Sequence, residues 1–178
     1  MQKITLITGN AGKVEEVARY LGFPIDHLVL DLHEIQSLDL EEIVREKAAS
    51  AYEKIKKPLL VEDVSLVFKA MGNLPGPLVK WFEKELGLEE MARLVDGKDR
   101  SCVATVCYGY HDGTNIYLVS GSMAGRVAEH PRGNMSFGWS PVFIPEGMDK
   151  TYAELSWEEI EPIAMRRKAL EKLQNLLK

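Results

Sequence analysis

The spacing of apolar and polar positions changes several times along the chain, and each change marks an element. Residues 3–8, KITLIT, form a short apolar run that predicts a buried first strand. The run ends in Thr8-Gly9-Asn10. Beyond it Val14, Val17, Ala18 and Leu21 recur at helical spacing, and Gly22 stands where a helix C-cap belongs. Residues 27–32, HLVLDL, predict a second strand. Asp39 followed by Glu42 is a capping-box signature ahead of a helix carrying Val44, Ala48, Ala51 and Ile55. Residues 58–68, PLLVEDVSLVF, read as a strand with two acids inside it. A Pro/Gly loop then leads into a helix within NLPGPLVKWFEKELG, and Leu88 to Leu94 predicts a short further helix. Residues 100–127 alternate with a period of two around His111-Asp112-Gly113, a β-hairpin signal. After a loop containing FGWSPVFIPEG, Leu170, Leu173 and Leu177 mark a closing helix. No repeat, linker or low-complexity tract interrupts residues 1–178, so one α/β or α+β domain with a mixed sheet is expected.

Composition narrows the class of partner. The hydrophobic share of 46% and charged share of 28% are ordinary for a globular protein. With 27 acidic and 22 basic residues and a net charge of −5, no basic stripe for nucleic acid is expected. No run is long and apolar enough for a membrane span, and the start lacks the pattern of a signal peptide, so a cytoplasmic location is expected. Cys102 and Cys107 sit at an odd spacing in one strand-like run. Their side chains therefore face opposite ways, which argues for two small hydrophobes rather than a disulfide or metal pair.

Three stretches carry candidate chemistry. Thr8-Gly9-Asn10-Ala11-Gly12-Lys13 is not a Walker A loop, because Ile7 and Val14 stand where that motif has Gly and Ser or Thr. Even so, helix-N-terminal amides, Thr8, Asn10 and Lys13 could cradle a phosphate. Ordinary turn chemistry is equally open here. Glu62 and Asp63 interrupt an apolar strand, and Glu34 lies near the end of the second strand. A buried carboxylate is costly unless paired or bound to a cation, and hard oxygen donors suit Mg²⁺. Solvated strand ends or salt-bridge partners are the competing reading. Phe137 and Trp139 could stack on a flat ring or plug the core. The four histidines show no ligand spacing, and no Gly-x-Ser-x-Gly elbow occurs.

Taken in order, these stretches resemble the inosine triphosphate pyrophosphatase family over nearly the whole chain. TGNAGKVEEV is similar to its T-x-N-x-x-K motif, VEDVSLVFKAMGNLPGPLVKWF to its E-D-S-G and P-G segments, and FGWSPVFIPEGMDKTYAEL to its F-G-[YW]-D-P segment. MRRKAL falls where the family has S-H-R-x-x-A-L. The resemblance implies an elongated two-lobed α/β fold with a central mixed sheet and a cleft between the lobes, usually as a homodimer. It implies hydrolysis of a purine nucleoside triphosphate to monophosphate and pyrophosphate with Mg²⁺, for which Mn²⁺ can substitute. By position, Thr8, Gly9, Asn10 and Lys13 would hold the triphosphate, and Lys13 would also serve catalysis. Glu34, Glu62 and Asp63 would be the metal acids, with Asp63 activating water. Phe137, Gly138, Trp139, Ser140 and Arg166 would bind the rest of the substrate.

The departures from the family pattern cluster. Val64 and Ser65 replace the serine and glycine of E-D-S-G, and Ser140 replaces the aspartate of F-G-W-D. Ile160 stands for a lysine, while Ala164 and Met165 stand for the serine and histidine of S-H-R. Hydrogen bonds to charged groups contribute about 1.5–3 kcal/mol each, so these losses predict altered base recognition unless a neighbour such as Arg167 compensates. Three readings follow: the family's usual inosine and xanthine nucleotides, another modified purine such as an alkylated one, or a nucleotide sensor with weak turnover.

Overall fold

The computed structural model describes residues 4–136 and 138–177. The first apolar run forms β1 (Thr5–Ile7), with Leu6 and Ile7 buried. The chain then turns into α1 (Ala11–Leu21). Asn10 caps that helix: its side-chain oxygen accepts from the Lys13 N–H at 3.3 Å. Gly22 closes it with φ of 76°, donating its N–H to the Ala18 carbonyl at 2.9 Å. That left-handed conformation suits glycine because it has no Cβ to clash.

β2 (Asp26–Leu28) runs parallel to β1, with Thr5 opposite Asp26 and Ile7 opposite Leu28. It is shorter than the expected 27–32. The Thr8 N–H still reaches the Leu28 carbonyl at 3.1 Å, but beyond that point the partner chain has become α1. Leu30 and Leu32 nevertheless pack on the core, which explains the alternating pattern.

α2 (Leu40–Ile55) is capped by Asp39, whose Oδ1 accepts from the Glu41 and Glu42 N–H groups at 2.9 and 3.3 Å. The reciprocal half of the expected box is rerouted. Ser37 Oγ accepts from the Asp39 N–H at 3.0 Å and donates to Glu42 Oε2 at 2.5 Å.

β3 (Leu59–Phe68) carries the two acids, and β4 (Pro75–Gly76) pairs antiparallel with its far end. α3 (Val79–Arg93) breaks at Gly87, where φ is 74°, matching the two helical segments expected there. β5 (Ser101–His111) and β6 (Ile116–Val127) form the expected hairpin. Asp112 Oδ1 holds its turn by accepting from the Thr114 and Asn115 N–H groups, both at 2.7 Å. β7 (Phe143–Pro145), α4 (Trp157–Ile160) and α5 (Met165–Leu176) complete the order.

Among the described residues the sheet has seven strands in the order β2-β1-β3-β5-β6-β7, with β4 set on β3. The β1–β3 pairing is parallel and β6–β7 antiparallel, so the α/β class with a mixed sheet is borne out. The chain divides into two compact units. One comprises residues up to Asp63, Val106–Gly121 and the segment from Arg166 on, and the other comprises Val64–Thr105 and Ser122–Met165.

In the first unit, Ile7, Val44, Ala48, Ala51, Leu59, Val61 and Cys107 form one core. Each fully buried Val or Leu there is worth about 1.5–3 kcal/mol over its exposed state. In the second, β6 and β7 approach so closely that a Cβ on Gly125 would lie 2.3 Å from the Ile144 carbonyl oxygen. Cys102 and Cys107 are buried free thiols, and burial pushes both up to about 12. Among the described residues no helix is long and apolar enough to cross a membrane.

Candidate active site

The turn after β1 shows the ordinary turn chemistry offered for it. Thr8 Oγ1 accepts from the Asn10 N–H at 3.1 Å, and Asn10 caps α1. These two side chains therefore shape the turn, leaving Lys13 and the helix N-terminus as the groups that attract an anion. Thr8, Gly9, Lys13, Glu34, Lys47 and Glu62 are among the residues lining one cavity of about 150 Å³.

Glu62 and Asp63 leave β3 in opposite directions, as the alternation of a strand requires. Glu62 enters a buried cluster. Its Oε1 accepts from Lys13 Nζ at 2.8 Å and from Arg166 Nη2 at 2.9 Å. Its Oε2 accepts from the Tyr108 hydroxyl at 2.7 Å and from Arg166 Nε at 3.2 Å. Glu16, on α1, lies 3.5 Å from Arg166 Nε. Burial alone would raise the Glu62 carboxyl, but the Arg166 and Lys13 charges outweigh it and hold the group well below the usual carboxylate range. Burial raises Glu16, against the pull of Arg166. Burial and the Glu62 charge together push the Tyr108 hydroxyl well above its ordinary value.

Asp63 faces a different cation. Lys47, on α2, lies 2.6 Å from Glu34 Oε1 and 3.3 Å from Asp63 Oδ2. Burial would lower the Lys47 ammonium, yet Asp63 and Glu34 hold it above its ordinary value. Sequence reading missed Lys47, although its signal was present. It interrupts the stripe Ile43, Val44, Ala48, Ala51, all of which are buried. A lysine inside a buried helical stripe calls for a partner.

Glu34 and Asp63 therefore aim their oxygens at one point, which a cation already occupies in the form of Lys47 Nζ. This donor set fits Mg²⁺, which typically takes one or two carboxylates and completes its shell with phosphate and water. No cluster of three or more His, Cys, Asp or Glu side chains suited to a metal exists among the described residues.

The proposed ring-binding segment lies in the second unit. Phe137 is outside the described residues. Gly138 has φ of 56°, and a Cβ there would sit 3.4 Å from the Glu83 carboxylate. Trp139 is half-buried and meets Phe143 edge-on, with centroids 5.7 Å apart, so it has a core partner. Ser140 opens a 3₁₀ turn over Ser140–Val142. Ala164 and Met165 are buried, Ser65 is buried, and Ile160 and Val64 are half-buried. Arg167 pairs with Glu171 one helical turn away at 2.8 Å.

Fold and site together define an α/β protein with an anion-attracting turn set beside a two-carboxylate cation position. The chain belongs to the Ham1 family, which it matches over residues 4–176. It is 46% identical over 173 residues to a Trypanosoma cruzi protein named inosine triphosphate pyrophosphatase 2, covering 94% of this chain and 88% of that one. It is 37% identical over 179 residues to a dITP/XTP pyrophosphatase of Saccharolobus solfataricus, covering 98% and 93%. A solved HAM1 protein from Coxiella burnetii superposes with a TM-score of 0.85 at 24% identity, covering 99% of this chain and 98% of that one, a likeness of fold.

Proposed function

We propose that this chain is a Mg²⁺-dependent pyrophosphatase of non-standard purine nucleoside triphosphates, such as ITP, dITP and XTP, that cleaves between the α and β phosphates. The observation that carries the reading is the meeting of Thr8, Gly9, Lys13, Glu34 and Lys47 around one cavity beside Asp63. The names of the relatives, inosine triphosphate pyrophosphatase and dITP/XTP pyrophosphatase, support the choice of substrate.

In this reading Lys13, Lys47 and the amides at the start of α1 take the triphosphate charge. Arrival of phosphate draws Lys47 away from Glu34 and Asp63 and frees their oxygens. Glu34 and Asp63 would hold the Mg²⁺, which when bound neutralises phosphate charge and acidifies water. Asp63 orients the attacking water and accepts its proton. The water oxygen bonds to the α phosphorus while the α–β bridging oxygen departs with pyrophosphate.

Ile160, Ala164 and Met165 offer no hydrogen-bonding side chains at motif positions, so the test must sample modified bases. The experiment is pyrophosphate release across ITP, XTP, dITP, the common nucleotides and alkylated purine triphosphates. Asp63→Asn runs alongside. Preference for ITP and XTP, with turnover falling about 10²- to 10⁴-fold in the variant, is the expected result. Nucleotide binding without release by wild-type protein would refute the assignment as an enzyme.

A further inference from the structure

Glu62 was expected among the metal acids, and the geometry gives it different work. A carboxylate has about four lone-pair sites. Glu62 spends all of them on protein donors: Lys13 and Arg166 on Oε1, Tyr108 and Arg166 on Oε2. Its side chain is 3% exposed. A metal could reach it only by displacing a donor. Arg166 is equally committed, because its Nε and Nη2 both point at Glu62 and its side chain is 14% exposed. Lys13 is the most exposed of the three donors, at 29% against 14% for Arg166, while Tyr108 is fully buried.

We infer that Glu62 is the carboxylate that aims Lys13, and that Tyr108 and Arg166 are positioning residues that act on bound phosphate through it. The inference rests on the reading of Lys13 as a phosphate-gripping group. A free lysine side chain samples many rotamers, and immobilising it on binding costs entropy. Here the restriction is made before the anion arrives. Arg166 and Tyr108 come from different elements, α5 and β5, and pin both oxygens of the carboxylate. The Glu62 Oε1 that meets Lys13 thereby has one orientation. Arg166 shares that oxygen with Lys13, so the arginine at the motif associated with base reading is tied to the phosphate end instead.

The test is Tyr108→Phe, which removes one hydroxyl from a fully buried ring and keeps its volume, with Arg166→Lys as a second variant. Calorimetry measures binding of inorganic tripolyphosphate, which has no base, in metal-free buffer. The thermal shift caused by Mg²⁺ alone is measured on the same proteins, and KM and kcat for ITP follow. Tripolyphosphate binding three- to tenfold weaker in Tyr108→Phe, with KM raised, kcat within twofold and the Mg²⁺ shift unchanged, is the expected result. Arg166→Lys should move the same quantities further. Unchanged tripolyphosphate affinity in both variants would overturn the inference. So would a loss of the Mg²⁺ shift at constant affinity, since that would make Glu62 a metal ligand. Wild-type protein that binds tripolyphosphate more tightly than the variants, yet hydrolyses no nucleotide, would support the inference and sink only the enzymatic reading.

Discussion

Replacing Lys47 with methionine keeps an unbranched side chain, one atom shorter, and deletes its charge. The lysine is 15% exposed and bridges Asp63, 24% exposed, and Glu34, 48% exposed. The Asp63 contact is the better shielded, and a hydrogen bond between charged groups of that kind contributes about 1.5–3 kcal/mol. The Glu34 contact is half in water and belongs with surface ion pairs, at about 0.2–1 kcal/mol. Relief of the cost of burying the ammonium offsets part of both, so the net loss should be about 2 kcal/mol. In a chain of this size that lowers Tm by about 4–8 °C.

Urea and thermal unfolding in metal-free buffer measure the loss. The same titration repeated in Mg²⁺ carries the sharper test. Without Lys47, Glu34 and Asp63 face each other unneutralised, so Mg²⁺ should stabilise the variant more than the wild type. At tenfold excess over Kd the gain is about 1.4 kcal/mol. A variant within about 0.5 kcal/mol of wild type would refute the bridging argument, that being the ordinary range for surface changes. Equal stabilisation of both proteins by Mg²⁺ would refute the shared cation position.

Acid unfolding should report on Glu62. Its folded carboxyl is depressed, so its contribution is present above the ordinary glutamate value, about 4.3, and is lost as pH falls through the folded one. Between those values stability should drop by up to about 1.4 kcal/mol per pH unit for this one proton, and Glu62→Gln should flatten that limb by the same amount in urea titrations. Glu16, whose carboxyl burial raises, has the opposite sign: its contribution declines as pH rises through its window, so the two are separable by Glu16→Gln. Gly125→Ala should destabilise by about 1–3 kcal/mol or more, because its Cβ meets the Ile144 backbone oxygen at 2.3 Å and the Phe143 ring at 2.7 Å. Hydrogen exchange localised to Ile144 and its neighbours would check that the damage is at the β6–β7 pairing.

The local elements were legible wherever a cap, a period or a turn residue specifies them. Asn10, Gly22, Asp39 and Asp112 each do in the structure what their residue type suggests. What failed depends on partners distant in sequence. The second strand stops at Leu28 because β1 ends, which no feature of HLVLDL records. β7 lies between Pro141 and Gly147 and itself ends in Pro145, and it exists only because β6 is there to pair with it.

The site divides in the same way. The turn after β1 and the acids could be picked out as residue types, and Lys47 could have been found as a charge in an apolar stripe. Tyr108 had no such signal, since it is one more apolar-looking residue of a buried strand. Its hydroxyl acquires meaning from Glu62, 46 positions away. Arg166 was read as a substrate contact, and its bond to Glu62 spans 104 positions.

That span has a consequence during synthesis. Glu62 emerges long before the arginine that balances it. At about 5–20 residues per second, translation of the intervening 104 positions takes about 5–20 s. Throughout that interval the carboxylate has only Lys13 and, once β5 is made, Tyr108 as partners, and the two bonds from Arg166 are missing. The hydrogen bonding of Glu62 on β3 is therefore completed only once Arg166 has been made. The first unit is finished only after the second has been made, even though it contains the residues that were made first.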